Sequence, residues 1–229
     1  MVTLKATKDE STGMWKIESV EPWHITYAKF IHLIKEGINF KFARYGDGEF
    51  NAIFGKSGKN CDGHEYFPDL GYALKQSFNP EIITGIQPLS LTLPYAEKVL
   101  NLMIGLRLVN ADVLHNASID GKIIDLIYAI VGSNRQNVCV GPTHLTPMFD
   151  SMILIPDKNC WLQYDAIKRN LSEWIEENEN GIILLCASMM SEVLISDFRN
   201  ANVTMIDAGS VFDPYVNVKS RKYHHKLPI

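Results

Sequence analysis

Seven short, largely apolar runs recur along the chain and alternate with segments of helical periodicity. Continuous apolar runs are typical of strands that helices cover on both faces, and the alternation with helices predicts a mostly parallel sheet. We therefore predict a single α/β domain with a Rossmann-like three-layer sandwich. The predicted strands are FKFAR (40–44), EIITGI (81–86), ADVLH (111–115), NVCVG (137–141), SMILI (151–155), GIILLCA (181–187) and VTMID (203–207).

Apolar residues recur at helical spacing between the predicted strands. We expect a polar, flexible lead-in over 1–15, the folded domain over 16–218 and a basic tail over 219–229. The predicted helices cover 25–37, 94–105, 120–132, 164–178 and 189–200.

Composition excludes several classes of protein. Apolar residues make up 46% and charged residues 21% of the 229 residues, which is typical of a folded globular chain. The net charge of −4 provides no overall attraction to nucleic acid or anionic membrane. Four cysteines without metal-ligand spacing, and no uncharged apolar stretch of the ~20 residues that a membrane span needs, predict a cytoplasmic protein in a bacterial or phage-infected cell.

The segment KSRKYHHK (219–226) carries Lys219, Arg221 and Lys222 without an acidic residue. A solvated end is the favoured interpretation. The alternative is a segment that folds back to bind phosphates.

The turn in ARYGDGEF (43–50) is the main candidate site, because ligands of open parallel sheets bind beyond the carboxyl ends of the strands. Asp47 and Glu49 are oxygen ligands suited to magnesium or manganese. Gly46 and Gly48 permit a tight turn close to a ligand, and Arg44 is placed to pair with a diphosphate. The alternative is a polar turn whose acidic residues complement a helix dipole.

Two further strand ends are candidate phosphate sites. Gly141 and Thr143 precede one predicted helix start, and Ser188 precedes another, so free backbone amides are expected there. Plain helix capping by the Thr143 hydroxyl is the favoured alternative.

The ARYGDGEF segment resembles the Arg-x-Gly-Asp-Gly-Glu signature of the GT-D class of glycosyltransferases. NVCVGPTHL, ILIPDKNCWLQYDAI, IILLCASMMSEVLISDF and VTMIDAGSVFDPY resemble later segments of that family in the same order, so the resemblance spans 24–215. Two departures are Ser210, where the family usually has His, and the ASMMSE segment (187–192), where it usually has Gly-x-x-Ala.

This resemblance implies a metal-dependent transfer of a sugar from a nucleotide-diphospho sugar, most often a UDP-sugar, to an acceptor hydroxyl. Asp47 and Glu49 would bind manganese or magnesium together with the diphosphate. Arg44 would contact the diphosphate or support the site, and Asp207 and Gly209 would form part of the pocket wall. The candidates for a general base are Asp207, Glu192 and His144.

The acceptor is open between a glycan, including a protein-linked sugar, and hydroxymethylated pyrimidines in DNA of viral type. Two other functions are compatible with the same carboxylates: a metal-dependent phosphohydrolase of a nucleotide or sugar phosphate, and an inert module that binds sugar nucleotides.

The polar segment NCDGHEYFPDLG (60–71) is interpreted either as a loop over the site or as a surface connection. Its Cys61, Asp62, His64 and Glu65 lack the second cluster that structural zinc requires. Trp161 and Trp174 are expected in the core and not as platforms for a sugar ring.

Overall fold

The predicted strands form the centre of the protein, as seen in a computed structural model that describes residues 6–11, 15–17, 20–87 and 95–227. The strands are β1 (Ala6–Lys8), β2 (Trp15–Ile17), β3 (Lys41–Tyr45), β4 (Ile83–Ile86), β5 (Arg107–Asn110), β6 (Asn137–Pro142), β7 (Met152–Ile155), β8 (Ile182–Leu185) and β9 (Thr204–Asp207). The α-helices are α1 (Trp23–Lys35), α2 (Asp47–Ile53), α3 (Pro68–Gln76), α4 (Ala96–Leu102), α5 (Val113–Ile119), α6 (Ile123–Gly132), α7 (Tyr164–Glu177) and α8 (Ser191–Asp197).

Seven of these strands form one sheet in the order β5-β4-β3-β9-β8-β6-β7. All pairs in this sheet are parallel, so every strand directs its carboxyl end to the same edge. The α/β prediction is confirmed. Strands β1 and β2 form a separate antiparallel pair.

Alternating side chains of each strand enter two different cores, one on each face of the sheet. In β3, Ala43 and Tyr45 face the core that contains α2, α3, α4, α7 and α8. Phe42 faces the other core, which α1, α5 and α6 cover. Helices on both faces explain why the strands carry continuous apolar runs, and they give the three-layer sandwich that the sequence predicted.

The prediction was wrong at ADVLH (111–115). The strand lies just before it, at β5, and Val113 begins helix α5. The side chain of Asn110 ends the strand by accepting a hydrogen bond from the Asp112 backbone N–H at 2.7 Å. The sequence RLVN of β5 carries polar residues at both ends, so its apolar signal is weaker than that of the helix that follows.

Some other elements were not predicted either. Helix α3 begins within the segment that we interpreted as a loop or surface connection, β1 lies within the polar lead-in, and β2 begins at the last residue of that lead-in. None of the helices in the described ranges is long and apolar enough to cross a bilayer.

Close packing of α2 against α3 depends on Gly71, and this contact generates a stability prediction. A Cβ atom at Gly71 would lie 2.2 Å from the backbone oxygen of Ala52, whereas one at Gly132 would meet nothing within 4 Å. We expect Gly71→Ala to lower the free energy of unfolding by about 1–3 kcal/mol, because the two helix backbones must separate. The control Gly132→Ala should change it by no more than about 0.5 kcal/mol. Urea denaturation measures both, and equal midpoints for the two variants would contradict the packing argument.

Candidate active site

A cleft of about 470 Å³ lies at the edge of the sheet where the parallel strands end. Its volume is in the range of small-molecule sites. Each of the seven parallel strands, or the segment directly after it, contributes to the wall. The wall of the cleft includes Arg44, Gly46, Asp47, Gly48, Glu49, Asn60, Asp62, His64, Gln87, His115, His144, Ser188, Glu192, Asp207, Gly209, Asp213, Ser220 and Arg221.

A buried ion pair between adjacent strands forms the floor of the cleft. Nε of Arg44, on β3, donates to Oδ2 of Asp207, at the end of β9, at 3.0 Å, and the two side chains are 15% and 3% exposed. The other oxygen of Asp207 accepts the backbone N–H of Gly209 at 3.0 Å. Burial opposes the charge on Arg44, but the Asp207 carboxylate outweighs burial and raises the pKa of the guanidinium. Both oxygens of Asp207 are therefore occupied.

Two features of the structure require glycine at position 209, beside this ion pair. Its φ of 54° lies in the left-handed region, which favours glycine. A Cβ atom there would also lie 2.0 Å from Nη2 of Arg44. Asp207 and Gly209 thus line the cleft as the resemblance implied, and the Asp-x-Gly spacing is explained by the packing of Arg44.

The Gly46–Glu49 turn lies on the wall of the cleft and begins helix α2. Oε2 of Glu49 accepts the backbone N–H of Gly46 at 2.6 Å, which caps the helix. Burial raises the pKa of Glu49 to about 7, and the Gly46 N–H bond opposes that rise only in part. Asp47 is exposed and makes no hydrogen bond or salt bridge to any residue that the structure describes. Glu49 therefore caps the helix and Asp47 faces the cleft, while binding of a metal ion at this turn stays a prediction.

The two glycines of the turn have a different role from the predicted one. Neither Gly46 nor Gly48 has a positive φ. A Cβ atom at Gly46 would lie 2.7 Å from Oε1 of Gln87, while at Gly48 it would make only ordinary contacts. Gly46 thus leaves room for the end of the Gln87 side chain, and neither glycine adopts the left-handed backbone conformation that favours glycine.

Glu192 is a buried carboxyl group without a full set of partners. It is 2% exposed, and its Oε2 makes no hydrogen bond within the described part of the chain. Burial raises its pKa well above the usual value, and the neighbouring carboxylates of Asp207 and Glu49 raise it further. The protonated form of Glu192 is therefore favoured over its carboxylate.

Two histidines on the wall are each paired with a carboxylate. Nε2 of His144 lies 3.0 Å from Oδ1 of Asp213, whose Oδ2 accepts a hydrogen bond from Ser220 Oγ at 2.5 Å. Nδ1 of His115 lies 3.4 Å from Oδ1 of Asp112, and burial lowers the pKa of His115. His144 was one of the predicted candidates for a general base, whereas neither aspartate was predicted to belong to the site. Asp213 is 69 residues from its partner, so no local pattern could reveal that pair.

The other candidate phosphate residues divide into two groups. Ser188 lines the cleft with a φ of 50°, and its Oγ accepts a hydrogen bond from the Asn60 side chain at 3.2 Å. Gly141 is buried in β6 and Thr143 is exposed, and neither belongs to the cleft wall. Capping by Thr143 is wrong, because Pro142 occupies the N-cap of the short 3-10 helix Thr143–Leu145 and no side chain caps it.

The start of the polar segment 60–71 does lie over the site. Asn60, Asp62 and His64 line the cleft. The Asn60 side chain accepts the backbone N–H groups of both other residues, at 3.0 and 2.9 Å, so this loop is held in one shape. Trp161 and Trp174 pack against the apolar core, as expected.

The basic tail is folded onto the protein. Arg221 reaches the cleft and forms a two-pronged ion pair with Asp62. His224 is fully buried, and Tyr223 packs its ring 4.8 Å from that of His115. The favoured interpretation as a solvated end is therefore wrong for this part of the tail, although Lys219 and Lys222 are exposed.

We tested whether the turn suits a divalent cation. Among the described residues, no group of three or more His, Cys, Asp or Glu side chains is placed to hold a metal ion. Magnesium, however, often takes only one or two carboxylates, with phosphates and water as the remaining ligands. Exposed Asp47, with Glu49 beside it, fits a cation of that kind, whose coordination a phosphate ligand completes.

Comparison with known proteins identifies the fold but no family. No family model and no curated protein matches the sequence. A solved structure of the domain of unknown function 1792, described as having a distinct glycosyltransferase fold, is 19% identical with a TM-score of 0.64, over 86% of this chain and 79% of the other. A selenomethionine-substituted structure of that domain gives 18% and 0.64 over the same shares. A new glycosyltransferase from Streptococcus sanguinis gives 16% and 0.63, over 86% and 83%. The chain thus has the fold of these proteins.

The raised pKa of Glu49 generates a pH prediction. Between its ordinary value of 4.5 and about 7, the folded chain keeps a proton on Glu49 that the unfolded chain loses. Stability must therefore fall as the pH rises through this range. Glu49→Gln keeps a helix-capping side chain and removes the titration. We expect the free energy of unfolding, measured in chelator, to fall more steeply with pH in the parent than in this variant. Parallel curves would show that Glu49 titrates normally.

Proposed function

We propose that the protein is a glycosyltransferase that moves a sugar from a nucleoside diphosphate sugar to an acceptor hydroxyl, with a divalent cation at Asp47 and Glu49. The observation that carries this proposal is the position of Asp47. It is exposed on the wall of a polar cleft at the carboxyl ends of the strands, beside Glu49, which caps the helix. The fold shared with proteins described as glycosyltransferases supports it. The resemblance of the sequence motifs favours a UDP-sugar and manganese or magnesium.

The departing diphosphate carries the charge that the site must stabilise. A cation bound there would supply electrostatic stabilisation of that charge. In the chain itself, Asp47 orients the ligand at the mouth of the cleft, and Glu49 fixes the start of α2 through its bond to Gly46. Burial favours the protonated form of Glu192, and that form can donate a hydrogen bond to a sugar hydroxyl without adding negative charge near the phosphates.

The acceptor hydroxyl must lose its proton, and His144 is the best placed of the three candidate bases. Asp207 is 3% exposed, and each of its oxygens already accepts a hydrogen bond, from Arg44 or Gly209. Burial favours the protonated form of Glu192, which is the wrong form for a base. His144 is one third exposed, and its bond to Asp213 favours the tautomer with the proton on Nε2. Nδ1 is then free to accept the proton of the acceptor.

The function is tested by turnover of UDP-, GDP-, ADP- and CDP-sugars with a panel of glycans and hydroxymethylated DNA, followed by mass spectrometry. We expect donor cleavage only when an acceptor is present, and a product heavier by one sugar. Asp47→Asn should fold with an unchanged melting temperature and lose at least about 100-fold in rate, as should the parent in chelator. Release of phosphate without acceptor would instead identify a phosphohydrolase. Wild-type transfer by Asp47→Asn would refute the assignment of this turn.

The role of His144 has a separate prediction. His144→Asn should lower kcat by about 100-fold or more, because a positioned general base contributes about that factor. The Kd of the donor should stay unchanged. Asp213→Asn should give a smaller loss of kcat, since His144 remains but loses its orientation. A donor Kd that rises with an unchanged kcat would place His144 in donor binding and not in proton transfer.

A further inference from the structure

The C-terminal segment 218–227 forms part of the cleft wall. The Ser220 hydroxyl donates to the Asp213 carboxylate, and the backbone N–H of Val218 donates to the backbone oxygen of Asp213 at 3.0 Å. His224 and Leu227 are buried. These contacts fix the segment on both sides of Arg221, so the position of the Arg221 side chain is set by the fold.

Arg221 and Arg44 are two guanidinium groups that face the same cleft, each held by one carboxylate. Their partners differ in burial. Arg44 and Asp207 are 15% and 3% exposed, whereas Arg221 and Asp62 are 28% and 26% exposed. Separating the first pair would leave a buried charge without a partner, which is strongly unfavourable. Both side chains of the second pair are partly exposed to solvent, so this pair separates at a much lower cost.

A diphosphate is a stronger partner for Arg221 than the Asp62 carboxylate. It carries more charge and offers several oxygens to the planar fork of the guanidinium. The same cleft contains Asp47, Glu49, Glu192 and Asp207, so a diphosphate that enters it needs a cationic side chain that is free to move. Arg44 is committed to Asp207, which leaves Arg221.

We propose that Arg221 binds the diphosphate of the donor and that Asp62 holds the guanidinium in position until the donor enters and takes over the pair. This inference rests on the proposed function, because it assumes a nucleoside diphosphate donor. It assigns donor binding to a residue of the C-terminal segment, 177 positions after Arg44 in the numbering of the chain (221 − 44). Asp62 is then the partner that the donor displaces from Arg221, and it does not itself contact the donor.

The test is calorimetric titration with uridine, guanosine, adenosine and cytidine diphosphates and with inorganic pyrophosphate, each in magnesium. Four proteins are compared: the parent, Arg221→Gln, Asp62→Asn and Lys222→Gln. Lys222 is exposed on the same segment, so Lys222→Gln is matched to Arg221→Gln in charge. A melting curve of each variant establishes that it is folded.

We expect Arg221→Gln to raise the Kd of the diphosphate that the parent binds by about tenfold or more. Lys222→Gln should change it by less than about twofold. Asp62→Asn removes the same ion pair but frees Arg221, so the Kd should be unchanged or lower. Binding of the corresponding nucleoside without phosphates should be equal in all four proteins.

Two results would overturn the inference, and they are distinguishable. If the parent binds a diphosphate and Arg221→Gln binds it equally well, or if Asp62→Asn weakens binding as much as Arg221→Gln does, the pair only supports the fold and the proposed function stands. If the parent binds none of the diphosphates or pyrophosphate, the inference and the proposed function are both wrong.

Discussion

Arg44 and Asp207 are buried together at the carboxyl ends of adjacent strands, and a buried charge pair of this kind is stable only while both partners remain. The pair joins β3 to β9 at the base of the cleft, directly below the Gly46–Glu49 turn. The pair leaves no room for a side chain at position 209, and it engages Arg44, the more buried of the two arginines of the cleft. The rest of the cleft is therefore built around a cation that is not available to a ligand.

This constraint explains the charge distribution around the pair. Glu49 and Glu192 lie close enough to Asp207 for its carboxylate to add to the rise in their pKa values that burial causes. A phosphate ligand at such a site needs positive charge from elsewhere. Among the described residues of the cleft, the two proposed sources are a cation bound at exposed Asp47 and the guanidinium of Arg221, whose bond to Asp62 is accessible to solvent.

The fold was predictable because most strands of the seven-stranded sheet are short and largely apolar, as two covering layers of helices require. At β5, which has polar ends, the prediction moved to the more apolar start of α5. In the site, the positions of Asp47, Glu49 and Gly209 were predictable because these residues lie just after the ends of β3 and β9. The His144–Asp213 and Asp62–Arg221 pairs were not, since their partners are 69 and 159 residues apart and meet only when the sheet has formed.

We propose that the cleft binds a nucleoside diphosphate above an intact Arg44–Asp207 pair. A crystal structure of the protein with uridine diphosphate and magnesium would show whether it does. We expect a diphosphate between the Asp47 turn and Arg221, with the distance from Arg44 Nε to Asp207 Oδ2 unchanged from 3.0 Å. A diphosphate bound on another surface, or one that has drawn Arg44 away from Asp207, would contradict it.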